Sequence, residues 1–154
     1  MRRAGSRTTT TWSQSEGGPF SDEEKARIQR LGVADSVRQW SFVNDVVLAE
    51  AYSRAALFVS SSLYEGFGLP PLEALTLGCP VLASDSASVP EICGDAALYF
   101  DPGKPGDLVR GIRDALNDPE REARKIRGFA QAARYSWQTN AENTFAVYKE
   151  MLSQ

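Results

Sequence analysis

The sequence predicts an α/β fold, a parallel sheet with flanking helices and a helical C-terminus. Three observations predict it. The apolar run Leu57-Phe58-Val59-Ser60-Ser61-Ser62 reads as a buried strand, and a loop with two glycines and then two prolines that open a helix follow it. Pro80 to Ser84 reads as a second parallel strand, again followed by a polar loop. Beyond Asp101-Pro102-Gly103 the pattern is helical.

The elements follow in order. Residues 1–18, MRRAGSRTTTTWSQSEGG, differ in composition from the rest and are expected to be a flexible lead-in, although Thr8 to Trp12 has the β-branched content of an edge strand. Residues 19–154 are expected to form the domain. Ser21 with Glu24 is a capping box, so a helix should run from about Asp22 to Leu31 and stop at Gly32. Val37 to Phe42 reads as a strand. Asn44 or Asp45 caps a short helix over Val47 to Ala55, with Leu48, Ala51, Tyr52 and Ala55 on one face. The helix opened by Pro70 and Pro71 should run to about Gly78. Asp85 to Val89 is a loop at a strand's carboxyl end, where Asp85 is expected to make an Asx turn in preference to touching a ligand. Pro90-Glu91 begins a helical turn, and Ala97 to Phe100 is a last short strand.

The helical tail has three parts. Pro105 to Leu116 carries Leu108, Ile112, Ala115 and Leu116 as an apolar face, and Asp118-Pro119 ends it. Glu120 to Tyr135 is charged on one side, as a solvated face is. Trp137, Ala141, Phe145, Tyr148 and Leu152 recur at helical spacing, a stripe expected to dock the final helix on the core.

Composition narrows the function classes. A chain of 154 residues with 42% hydrophobic content supports one domain with a core. A net charge of −3 gives no nucleic-acid footprint. No apolar run reaches membrane-spanning length and no signal-peptide core is evident, so membrane contact is not indicated and a cytoplasmic soluble protein is expected. Cys79 and Cys93 are too few for a disulfide framework and are expected to be buried thiols. The sequence has no histidine, which excludes a histidine-based metal centre or catalytic triad within it.

The informative stretch is Leu63-Tyr64-Glu65-Gly66-Phe67-Gly68-Leu69-Pro70-Pro71-Leu72-Glu73-Ala74-Leu75. In an open α/β sheet, ligands bind beyond the carboxyl ends of the strands, where this loop would lie. A helix N-terminus with unpaired N–H groups and a partial positive charge suits phosphate. Proline has no N–H, so the donors here would be Gly66, Phe67, Gly68, Leu69 and Leu72. Gly66 and Gly68 would let a ligand approach the backbone closely. Glu73, expected in the first helical turn, could accept from a vicinal diol such as a ribose, and Glu65 would face what lies beyond the phosphate. The same pattern has a plain reading. Glycine loops before helices are common, and the helix dipole alone favours a first-turn Glu.

Glu65 and Glu73 are separated by seven residues, and EGFGLPPLEAL resembles the E-x7-E signature of family 4 ("group 1") retaining glycosyltransferases of the GT-B fold. The resemblance continues through Gly78-Cys79-Pro80-Val81-Leu82-Ala83-Ser84-Asp85, Val89-Pro90-Glu91 and Gly94 to Pro102, and covers roughly residues 19 to 152. It implies a partial Rossmann-like sheet, the C-terminal, donor-binding domain of a GT-B enzyme. It also implies transfer of a sugar from a nucleoside diphosphate sugar with retained configuration and without a bound metal or other cofactor. Carried onto this sequence, Glu73 would hold the ribose. Glu65, with the amides of Gly66 and Phe67, would hold the donor sugar and act as the catalytic carboxylate. Gly68 and Leu69 would lie near the diphosphate.

The family's upstream Arg and Lys, which pair with the diphosphate, have no counterpart here, nor does the N-terminal domain that supplies the acceptor site. The expectation is a half-enzyme with little transfer activity alone, or one that needs a partner chain. A non-catalytic nucleotide-binding or interaction module is the alternative. In the strand order 3-2-1-4-5-6, strands 1 and 2 would be missing between Val37–Phe42 and Leu57–Ser60. Those two strands would then leave a gap or collapse together, or residues 8 to 12 would fill in.

Overall fold

The computed structural model describes residues 10–13, 19–40 and 44–153, and among the described residues five short runs form strands. The chain falls into two units, residues 1–48 and 49–154.

In the first unit, strand β1 (Thr10–Ser13) pairs in parallel with β2 (Val37–Trp40), Thr10 opposite Val37 and Ser13 opposite Trp40. These four residues form a ladder, the edge-strand alternative that the β-branched content of Thr8 to Trp12 left open. The rest of that segment, and the last two residues of the strand expected to end at Phe42, lie outside the described residues. Helix α1 (Asp22–Arg30) starts as its capping box dictates. The Glu24 N–H donates to Ser21 Oγ at 3.2 Å, and the Ser21 N–H donates to the Glu24 carboxylate at 2.8 Å. Helix α2 (Asp45–Arg54) is capped by Asn44, whose Oδ1 accepts from the Val47 N–H at 2.9 Å.

The second unit holds a parallel sheet of order β3-β4-β5, with β3 Phe58–Ser60, β4 Val81–Ser84 and β5 Leu98–Phe100. Parallel neighbours need crossovers. Helix α3 (Leu69–Thr76) makes the first and α4 (Val89–Cys93) the second. Strand β4 lies in the middle, and all four of its residues are buried. The sheet β1-β2 belongs to the first unit and the sheet β3-β4-β5 to the second.

The core gathers Leu75, Val81, Leu82, Val89 and Cys93. Cys79 and Cys93 are buried free thiols, and burial pushes each up to about 11, so both stay protonated and inert near neutral pH.

Helix α5 (Pro105–Leu116) crosses β4 at a glycine. A Cβ on Gly111 would sit 2.9 Å from Leu82 Cδ1, closer than packing allows. The buried face of α5 therefore centres on Gly111 and Ala115, while Leu116 stands exposed. Helix α6 (Arg121–Ala132) meets α3 through Gly128, where a Cβ would lie 3.1 Å from Leu75 Cδ2. Its charged side does more than face solvent. Arg124 donates to the Asp118 carboxylate at 2.8 Å and to the Asp95 carbonyl at 3.0 Å, tying α6 to the turns around it.

The Asp118 contact makes a pH prediction. The Arg124 hydrogen bond, and after it the Glu120 N–H at 2.9 Å, hold the Asp118 carboxyl below its ordinary value. A lowered carboxyl stabilises the fold above its ordinary range, and that contribution is lost as pH falls through the lowered value. Asp118→Asn should lower the melting midpoint at pH 7 by about 4 °C, and the difference should shrink as pH falls below the ordinary carboxylate range. Thermal melts of both chains across that pH range check this.

The last helix departs from expectation. Helix α7 (Trp137–Leu152) has no buried residue, and Trp137 and Leu152 are 77% and 88% exposed. It is held locally instead. The Ser136 hydroxyl caps it by accepting from the Thr139 N–H at 3.0 Å, and Lys149 lies over the Phe145 ring at 4.7 Å. Helical spacing of apolar residues shows that a face exists, not what covers it.

Candidate functional site

The parallel direction of β3, β4 and β5 brings their carboxyl ends to one edge, where the segments 61–68, 85–88 and 101–104 begin. The first carries the predicted site. Glu65 is half-buried in it, and Gly66 and Phe67 are exposed. Gly68 is buried as the N-cap of α3 at φ 100°, ψ 45°, Leu69 is the first helical residue, and Pro70 the second.

The two glycines differ in reason. At Gly68 the left-handed backbone requires glycine. At Gly66 the backbone is ordinary, and a Cβ would meet nothing within 4 Å. Nothing described in the protein demands glycine there, whereas a ligand lying against the backbone would.

Among the described residues, the amides of Gly66, Phe67, Gly68 and Leu69 donate to no protein acceptor. Leu72, expected as a fifth donor, is already engaged, its N–H donating to the Gly68 carbonyl at 3.3 Å. The cause is a helix that begins at Leu69, one residue ahead of the prolines, so that the N-cap carbonyl falls four positions before Leu72. The same early start puts Glu73 at the fifth helical position, in the second turn and not the first. Glu73 is exposed and close enough to Tyr52 that, after burial, its carboxylate is the next cause pushing that phenol above its ordinary range. Tyr52 itself is buried, edge-on to Phe58 with ring centroids 5.3 Å apart.

Sequence reasoning missed two supports. Phe67 packs edge-on against Tyr135, 5.6 Å between centroids, which fixes one side of the loop. Ser88 touches the loop's backbone, and the only sequence signal was a serine where α4 begins. Asp85 makes no Asx turn. Its N–H extends the ladder by donating to the Phe100 carbonyl at 2.9 Å, and among the described residues its carboxylate has no hydrogen bond.

A small cavity of ≈ 10 Å³ lies at the opposite, amino ends of the strands, among Pro80, Val81, Leu98 and Ala115. It has room for about one water and is no ligand site. Among the described residues, no three His, Cys, Asp or Glu side chains gather as a metal would need, and no helix is long and apolar enough to cross a membrane.

The family model for "Glycosyl transferases group 1" matches residues 5–132. The chain belongs to the group 1 glycosyl transferases. Among its relatives, this family member is 41% identical over 114 residues to O-antigen chain mannosyltransferase B of Escherichia coli, covering 73% of the chain and 30% of that protein. It is 34% identical over 132 residues to the MMP alpha-(1->4)-mannosyltransferase of Mycolicibacterium hassiacum, covering 82% of the chain and 32% of that protein. The chain thus spans roughly a third of each of these two relatives.

Solved structures share the fold. Sucrose-phosphate synthase from Thermosynechococcus elongatus superposes with a TM-score of 0.81 at 23% identity, over 94% of this chain and 39% of that one. Anabaena HepE, solved in complex with UDP and glucose, gives 0.70 at 24% identity, over 85% of this chain and 35% of that one. The group 1 chain therefore has the partial Rossmann-like, GT-B type fold that its sequence led us to expect.

Proposed function

We propose that this chain supplies the donor-binding part of a retaining glycosyltransferase, one that takes a sugar from a nucleoside diphosphate sugar without a bound metal. The observation that carries the reading is the row of four amides, Gly66 to Leu69, that have no protein acceptor among the described residues, at the N-terminus of α3 and at the carboxyl edge of a parallel sheet. In this reading Gly68 and Leu69 meet the diphosphate, whose developing negative charge the helix N-terminus favours as the sugar leaves. Glu73 takes the ribose hydroxyls. Glu65, with the amides of Gly66 and Phe67, takes the hydroxyls of the sugar. The complexes of HepE with UDP and with UDP-glucose support a nucleotide-sugar as the ligand class. Two free, buried thiols support a reducing, cytoplasmic setting. The acceptor is bound by another domain or chain.

A second reading, a nucleotide-binding module without transfer, is favoured by one observation. The loop 61–70 has no basic side chain to stabilise a departing diphosphate.

Titration calorimetry of the chain with UDP, GDP and their sugars tests both readings. Saturable binding of at least one nucleotide, with little turnover by the isolated chain, is the expected result. No heat with any of them overturns the donor-site reading, and rapid transfer by the isolated chain overturns the half-enzyme.

A further inference from the structure

The β4–α4 connection carries alternate serines that reach the amide-rich loop. Ser84 is fully buried, and its hydroxyl donates to the Ser62 carbonyl at 2.5 Å and lies 2.9 Å from Ser86 Oγ. Ser86 Oγ is also 3.3 Å from the Ser62 carbonyl. Ser88 Oγ lies 2.9 Å from the Glu65 carbonyl and 3.0 Å from the Phe67 carbonyl, so its one proton is shared between the two acceptors.

Those two carbonyls belong to the peptide groups whose N–H ends are Gly66 and Gly68. Among the described residues there is no cis peptide, and in a trans peptide the C=O and N–H point in opposite directions. A hydroxyl that holds both carbonyls from one side therefore turns both N–H groups to the other. We propose that Ser88 is a positioning residue for the donor site, setting the outward aim of the Gly66 and Gly68 amides. The role rests on the reading of function given above.

Two further observations mark the serine as diverted to this task. Ser88 occupies the N-cap of α4, where a serine ordinarily bonds an amide of its own helix, yet it makes no side-chain cap bond. Its neighbour Ala87 is the one non-glycine residue at positive φ (50°) among the described residues, so the connection holds an unfavourable backbone where it delivers the hydroxyl.

The test compares the chain with Ser88→Ala and Ser88→Thr by the amide proton and nitrogen NMR shifts of residues 63–68, calorimetric titration with UDP and GDP, and thermal melting. Alanine is expected to move the Gly66 and Gly68 amide resonances and to weaken nucleotide binding about tenfold, with a midpoint within about 2 °C of the parent. Threonine, which keeps the hydroxyl, is expected to restore both. A Ser88→Ala chain with parental resonances and affinity, or a Ser88→Thr chain that loses both, overturns the proposal. Should the parent bind neither nucleotide, the functional reading falls, and the comparison of resonances by itself decides whether Ser88 holds the loop.

Discussion

Glu73→Ala is expected to weaken binding of the matching nucleoside diphosphate by about 10- to 100-fold. That range follows from losing charged hydrogen bonds worth ~1.5–3 kcal/mol between a carboxylate and a ribose diol. Glu73 sits on the exposed side of α3 and beside Tyr52, so the variant is also melted to read any cost to the fold. Calorimetry and melting on the same preparation separate the two effects. Equal affinity in the variant would take the ribose away from Glu73.

Glu65→Gln is expected to act on a different part of the ligand. Glu65 lies in the loop ahead of Gly66 and not on the helix, and under the proposed function its carboxylate meets the sugar beyond the phosphates. The variant should bind the bare nucleoside diphosphate within about twofold of the parent and lose about tenfold or more for the sugar-bearing donor. The two carboxylates thereby give opposite patterns, Glu73→Ala weakening both ligands and Glu65→Gln only the sugar-bearing one. Titrations of each variant with the nucleotide and with its sugar read this directly, and a Glu65→Gln chain that weakens both ligands equally would remove the division of labour.

Much of this architecture was legible because local rules and burial agreed. The capping box at Ser21 and Glu24 started α1, Pro70 fell in the first turn of α3, and the continuous apolar run of β4 ended up buried on every residue. The errors came where a long-range partner decides. Thr10 to Ser13 has β-branched content that suits a strand, but only the ladder with β2 decides for it over a lead-in. The α5 face centres on Gly111 because Leu82 fills the space a leucine would need. The stripe on α7 has helical spacing but no buried residue.

The site was readable for a similar reason and to a similar depth. The glycines, the prolines and the two glutamates are contiguous in sequence, so the loop and its donors could be named. One residue of error in the helix start was enough to count Leu72 as a donor and to put Glu73 a turn too early. Ser88 and Tyr135 come from later segments and act on carbonyls and a ring, contacts that leave no local pattern.

Glu65 and Glu73 are proposed to flank one ligand held by the amides between them. A crystal structure of the chain with a bound nucleoside diphosphate sugar decides this. The expected result has the ribose hydroxyls within about 3 Å of the Glu73 carboxylate, the sugar at Glu65 and the phosphates on the Gly68 and Leu69 amides. A nucleotide bound elsewhere, with either carboxylate turned away from it, would remove the donor site from this loop.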